Sequence, residues 1–97
     1  MNNIELYKIQ ISLSEGTVRE IFPKLVGLIS RFSHKKELLA ALDDYVKMVP
    51  KKNKQENNKN IAFDIAKRYK GIDWRDLIFV IDSAVNKGLL NKNFLTT

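Results

Sequence analysis

The chain has 97 residues, one histidine, no cysteine and a formal net charge of +6 at pH 7. That length is one domain with a modest core. The missing cysteines exclude a disulfide framework, thiolate metal sites and thiol redox chemistry, and fit a reducing compartment. The charge is not spread evenly: residues 47–70 carry Lys47, Lys51, Lys52, Lys54, Lys59, Lys67, Arg68 and Lys70 against only Glu56 and Asp64, while the rest of the chain balances.

The chain starts Met1-Asn2-Asn3-Ile4-Glu5, without a basic start followed by an apolar run, so no secretory leader is expected. No stretch approaches the ~20 apolar residues of a membrane span; the longest run is Leu77 to Ile81. The cytoplasm is the expected location. Tyr7, Ile9, Ile11 and Leu13 alternate as in a strand, whereas Ile4, Tyr7 and Ile11 also fit a helix. With no second strand pattern in the chain, this segment reads as a helix or an extended arm, unless a second copy supplies a strand to pair with.

Val18, Ile21, Phe22, Leu25, Leu28, Ile29 and Phe32 form an apolar stripe at helical spacing. Thr17 with Glu20 and Ser12 with Glu15 both make capping boxes, so the helix start can slide by a turn. Pro23 interrupts the pattern, and an interior proline costs about 3 kcal/mol or more. A kink over Arg19–Pro23, or a new helix with Pro23 in its first turn, is expected. Leu38, Leu39, Leu42, Tyr45, Val46 and Val49 define a second helix, with Ser33 as N-cap and Pro50 as its stop.

Residues 51–60, KKNKQENNKN, hold no apolar side chain and read as a loop or an exposed first turn. Ile61, Ala62, Ile65, Ala66 and Tyr69 follow as a third helix, capped by Asn58 or Asn60 and stopped by Gly71 in the left-handed conformation. Asp73 caps the last helix, which carries Trp74, Leu77, Ile78, Ile81, Ala84 and Val85 on one side and Phe79 and Val80 on others, ending near Gly88. A helix apolar most of the way round is central in its bundle or presents a partner surface. Phe94 and Leu95, in the tail after Asn91, either dock on the body or fray. The sequence thus predicts an all-α fold: one small bundle of four to five helices, with the N-terminal segment as a further helix or an extended arm.

Little in the chain suits catalysis. The single His34 sits beside Lys35 and Lys36 with no nucleophile elbow, and the four glycines are too far apart for a phosphate loop. Asp43 and Asp44 are adjacent, so on a helix they do not converge on one substrate. Asp73 and Asp76 are explained by helix capping and by the positive end of the helix dipole. No calcium-loop spacing occurs. The expectation is a protein that is not an enzyme and carries no cofactor or metal.

Two surfaces are candidates for binding. The basic region, with Lys51, Lys52, Lys54, Lys67, Arg68 and Lys70, is an electrostatic footprint for an anion or nucleic acid. It holds a single arginine, the preferred bidentate reader of guanine and phosphate, and no helix-turn-helix pattern. The second surface is the apolar surplus late in the chain: Phe79, Val80, Leu89 and Phe94, which would cover a protein partner or a second copy in a homodimer if they do not close the chain's own core.

Two local likenesses accompany this reading. Thr17-Val18-Arg19-Glu20-Ile21, with Leu28-Ile29 and Arg31-Phe32-Ser33, resembles the first helix of small helical anti-sigma proteins of phages, from which Pro23 departs. That resemblance implies docking on a sigma factor or RNA polymerase. Ile61 to Ala84, with Gly71 between two helices and Leu77-Ile78 following, is similar to the later helices of bacterial effector-associated adaptor domains, which implies homotypic docking. The expected function is therefore a non-enzymatic helical protein-interaction module, such as an adaptor, an inhibitor or an immunity-type regulator. The alternative is a nucleic-acid-binding protein using residues 47–70.

Overall fold

In the computed structural model, residues 17–97 are described. They form four helices, α1 (Thr17–Ile29), α2 (Lys35–Met48), α3 (Asn58–Arg68) and α4 (Trp74–Asn86), with 3₁₀ turns at Val49–Lys51 and Lys92–Phe94. No strand occurs among the described residues. The reading of residues 4–13 as helix or arm lies outside them.

Each apolar stripe becomes a buried face. Val18, Phe22, Leu25 and Ile29 of α1, Leu38, Leu39, Leu42 and Tyr45 of α2, Ile61 and Ile65 of α3, and Leu77, Val80, Ile81 and Ala84 of α4 join one core. α2 and α4 touch each other, and each also packs against both α1 and α3, so they are the central pair. The near-complete apolar girth of α4 has its reason there: it meets α1, α2, α3 and the C-terminal 3₁₀ turn.

Several boundaries depart from the sequence expectation, each for a local reason. α1 runs unbroken through Pro23. Pro23 and Arg19 are both exposed, so the Arg19 carbonyl that lost its proline donor is on the solvent-facing side of the helix, where the missing bond costs least. α2 starts one residue later than Ser33 would set it. His34 occupies the N-cap position with no side-chain capping bond, and Lys35 Nζ donates to the Phe32 carbonyl instead. Pro50 does end α2, forcing the 3₁₀ turn that follows Met48. The cap of α3 is neither Asn58 nor Asn60 but Asn57, whose Oδ1 accepts from the Asn60 amide at 2.8 Å.

The polar stretch 51–60 is ordered by its own asparagines. Asn53 Oδ1 accepts from the Gln55 and Glu56 amides at 3.0 and 3.1 Å, an Asx turn that needs no apolar anchor. Asn58, freed from capping, is buried. Its Nδ2 donates to the carbonyls of Asn93 and Leu95, and its Oδ1 accepts from Lys52 Nζ, all at 2.7 Å.

The tail docks. The Tyr45 hydroxyl donates to the Phe94 carbonyl, with the two rings 6.3 Å apart. Asp82 accepts from the Thr96 amide at 3.0 Å and from its hydroxyl at 2.8 Å. Before this tail, α4 closes in a Schellman motif: the Leu89 amide donates to the Ala84 carbonyl at 2.8 Å and the Gly88 amide to the Val85 carbonyl at 3.0 Å, with Gly88 at φ 78°. α2, α3 and α4 thus each hold one part of the last five residues.

A candidate cationic-aromatic face between two helices

The turn joining α3 to α4 sets the site. Tyr69 leaves the helix in an extended conformation, and Gly71 reverses the chain at φ 92°. A Cβ at Gly71 would lie 2.8 Å from His34 Cε1, so only glycine allows both the left-handed turn and the close approach of the α2 N-terminus. Asp73 then caps α4, accepting from the Arg75 amide at 2.9 Å. This sequence of constraints brings the outer face of α3 against the first turn of α4.

On that outer face Lys59, Phe63 and Lys67 follow one another at intervals of four residues, stacking along one side of the helix. Phe63 meets Trp74 edge to face, with ring centroids 5.7 Å apart. Lys67 Nζ lies 4.2 Å from the Phe63 centroid. Lys59 Nζ and the Arg75 guanidinium lie 5.9 and 5.7 Å from that of Trp74. These distances are within the ~6 Å reach of cation–π attraction. Phe63 keeps 37 % of its surface exposed. Phe63, Lys67, Ile72, Trp74 and Arg75 line an open cleft of about 490 Å³, a size that falls in the ~300–1,000 Å³ range of small-molecule sites. Among the described residues, Asp73 is the only carboxylate on its wall, and it sits 4.0 Å from the Arg75 Nε.

The predicted basic residues do not gather into one patch. Lys51, Lys52 and Lys54 are exposed around the α2–α3 connection, with Lys52 tied to Asn58. Arg68 points back to α2, its Nη1 3.9 Å from Met48 Sδ. Lys70 is exposed in the α3–α4 turn. Of the six, Lys67 alone lines the cleft. Lys47, also in the basic region, is paired with Asp43 at 2.9 Å. Phe63 and Trp74 were not singled out for binding by the sequence, although Phe63 stands off the apolar stripe and between two lysines at helical spacing, which is the readable signal.

The predicted apolar surface changes more. Val80 is fully buried in the core and offers nothing to a partner, because its position on α4 faces the other helices rather than solvent. Leu89 and Phe94 are half-buried and packed against the core. Phe79 remains 40 % exposed. It is covered in part by Arg31, whose guanidinium lies 4.0 Å from its ring, and it meets Phe32 edge to face at 6.0 Å.

Two phenols are perturbed. Burial, and then the charge of Asp82, push Tyr45 up. Tyr69 donates to Asp44 Oδ2, and burial followed by that hydrogen bond and the Asp44 charge raise it to about 12. Both are held neutral and serve as donors, which is a structural use.

No family model, curated protein or solved structure matches this chain. The likenesses to anti-sigma proteins and to effector-associated adaptor domains rest on the residues quoted for them. Among the described residues, no helix is long and apolar enough to cross a membrane.

Proposed function

We propose that this protein is a non-enzymatic nucleic-acid-binding module whose binding face is the α3–α4 cleft. The observation that carries the reading is the convergence of Lys59, Lys67 and Arg75 on the ring pair of exposed Phe63 and half-buried Trp74. Single-strand binders combine cations that track phosphates with aromatic rings that bases stack on. A protein partner fits this face less well, because lysine is depleted from protein–protein interfaces. The excess of cations in residues 47–70 adds long-range attraction for a polyanion.

Fluorescence anisotropy of a labelled oligonucleotide tests it. Neutralising about three phosphates on a single strand gives a slope near −2 of log affinity against log salt. Lys59→Glu with Lys67→Glu should weaken binding more than Lys51→Glu with Lys54→Glu. Absence of binding at low salt, or equal losses from the two pairs, would contradict the proposal.

A protein-interaction reading retains one favouring observation, the Arg31–Phe32–Phe79 cluster with its exposed ring. In that reading Phe79 is the anchor of a partner or homodimer contact. Sedimentation equilibrium should then show a dimer that Phe79→Asp dissolves; a monomer across the concentration range removes the homodimer.

A further inference from the structure

We infer that the α3–α4 cleft contains a base-stacking subsite, so that its ligand is unpaired: a single strand whose base enters against Phe63 and Trp74 while its flanking phosphates meet Lys59 and Lys67. This inference rests on the nucleic-acid reading above and adds the class of ligand and the part each side chain plays.

Three observations support it. First, Phe63 stands at the surface outside the core, beside a Trp74 that is half-buried against it. The α3 stripe already buries Ile61, Ala62, Ile65 and Ala66 in the core, yet the outer face carries an additional aromatic residue that stays 37 % exposed. Second, cations border both rings. Lys59 and Arg75 approach Trp74, and Lys67 approaches Phe63, so the phosphates that flank a nucleotide's planar base meet positive charge beside each ring. Third, the carboxylate on the cleft wall, Asp73, lies beside a cation at the α4 end. Asp73 accepts the Arg75 amide at 2.9 Å and lies 4.0 Å from Arg75 Nε, so its charge is partly offset at the α4 end, and the phosphate path is the lysine edge on α3.

The cleft argues against paired ligands. A base in a duplex shows only its edges in the grooves, and its faces are covered by neighbouring base pairs. Ring stacking from Phe63 and Trp74 is therefore available only to an unpaired base. Among the described residues the cleft wall holds no asparagine or glutamine, and its one arginine, Arg75, lies beside the Trp74 ring, so the face has few groups that read a base edge. Stacking tolerates any base, so the expected preference is for single strands without marked sequence choice. The same chemistry is offered by single-stranded DNA and single-stranded RNA, and parallel titrations with oligo(dT) and oligo(U) show which is preferred.

Trp74 is the only tryptophan of the chain, so its emission reports the site directly. The full chain would be titrated at low salt with oligo(dT) of about 15 nucleotides, with an abasic strand of the same length, and with a duplex of that length. The inference predicts quenching of Trp74 emission by the base-bearing strand, and affinity for it at least about fivefold above that for the abasic strand and the duplex. Phe63→Leu, an exposed and apolar replacement, should keep the residual charge-driven binding and lose most of that ratio. Equal affinities for base-bearing and abasic strands would overturn the stacking subsite while leaving phosphate binding in place. No binding of any strand would overturn the nucleic-acid reading and the subsite with it. A duplex bound as tightly as the single strand would also overturn the subsite.

Discussion

Asn58 Nδ2 donates to the Leu95 carbonyl at 2.7 Å, joining residues 37 apart in sequence. The same nitrogen donates to the Asn93 carbonyl, and the side-chain oxygen accepts a hydrogen bond from Lys52 Nζ. One buried amide therefore holds the α2–α3 connection, the start of α3 and the tail together. Asn58→Asp is nearly isosteric but turns a double donor into an acceptor facing two carbonyls. It should cost about 2–3 kcal/mol in urea unfolding, as expected for a buried group left without its partners, and the amides of residues 93–96 should lose hydrogen-exchange protection. A loss under about 0.5 kcal/mol would show that the tail is held by Tyr45 and Asp82 alone.

Gly71 and His34 are coupled through space rather than through a bond. Gly71→Ala meets a backbone angle that L-residues rarely adopt and places a Cβ 2.8 Å from the imidazole. The expected loss is about 1–3 kcal/mol. Because part of it is collision with His34, the double variant Gly71→Ala/His34→Ala should be more stable than the sum of the single effects predicts. A thermodynamic cycle measures this coupling, and strict additivity would assign the whole loss to the backbone angle.

Phe79 and Val80 are neighbours in sequence with opposite environments, 40 % and 0 % exposed. Val80→Asp buries a charge among apolar side chains, a penalty of several kcal/mol against a total stability of about 5–15 kcal/mol. It should unfold the protein. Phe79→Asp should lose no more than about 1.5 kcal/mol, the scale of an exposed aromatic pair and its cation contact. Circular dichroism melts distinguish the two directly.

The phenol of Tyr69 makes stability depend on alkaline pH. Its folded pKa is raised from 10.0 to about 12 by burial, the hydrogen bond to Asp44 and that carboxylate's charge. A folded pKa above the unfolded one means the contribution is fully present below pH 10 and is lost as pH rises toward 12. Tyr69→Phe should therefore lower stability at pH 8 by about 1 kcal/mol, the worth of a part-exposed hydrogen bond. It should also flatten the decline in stability across that alkaline window. An unchanged alkaline profile in the variant would show that Asp44 does not hold the phenol.

Much of this fold is legible in the sequence because its helices bury their faces at regular spacing. The four stripes, the stop at Pro50, the cap at Asp73 and the left-handed Gly71 are all local signals, and the structure carries each of them. Asn58 was not legible as a core residue, since its partners lie 35 and 37 residues away and a run of polar residues gives no register. The α2 start was misplaced because Ser33 has the right chemistry one residue too early. Docking of the tail follows from Tyr45, which holds Phe94, and Asp82, which holds Thr96, contacts that helical periodicity cannot connect to the segment after α4. The basic region was visible as charge only. That Arg68 turns to Met48 while Lys67 turns to Phe63 depends on how α3 is rotated between its neighbours. Phe63, off its stripe and flanked by Lys59 and Lys67, was the one trace of the cleft that the sequence offered.

The most direct measurement of the central claim is amide chemical-shift mapping of the full chain titrated with single-stranded oligonucleotide. The α3–α4 face predicts that the largest perturbations fall on Lys59, Phe63, Lys67 and Ile72 to Arg75, together with the Trp74 indole N–H. Perturbations centred on Lys51 to Lys54, or on Arg31 and Phe79, with the Trp74 indole unmoved, would contradict it.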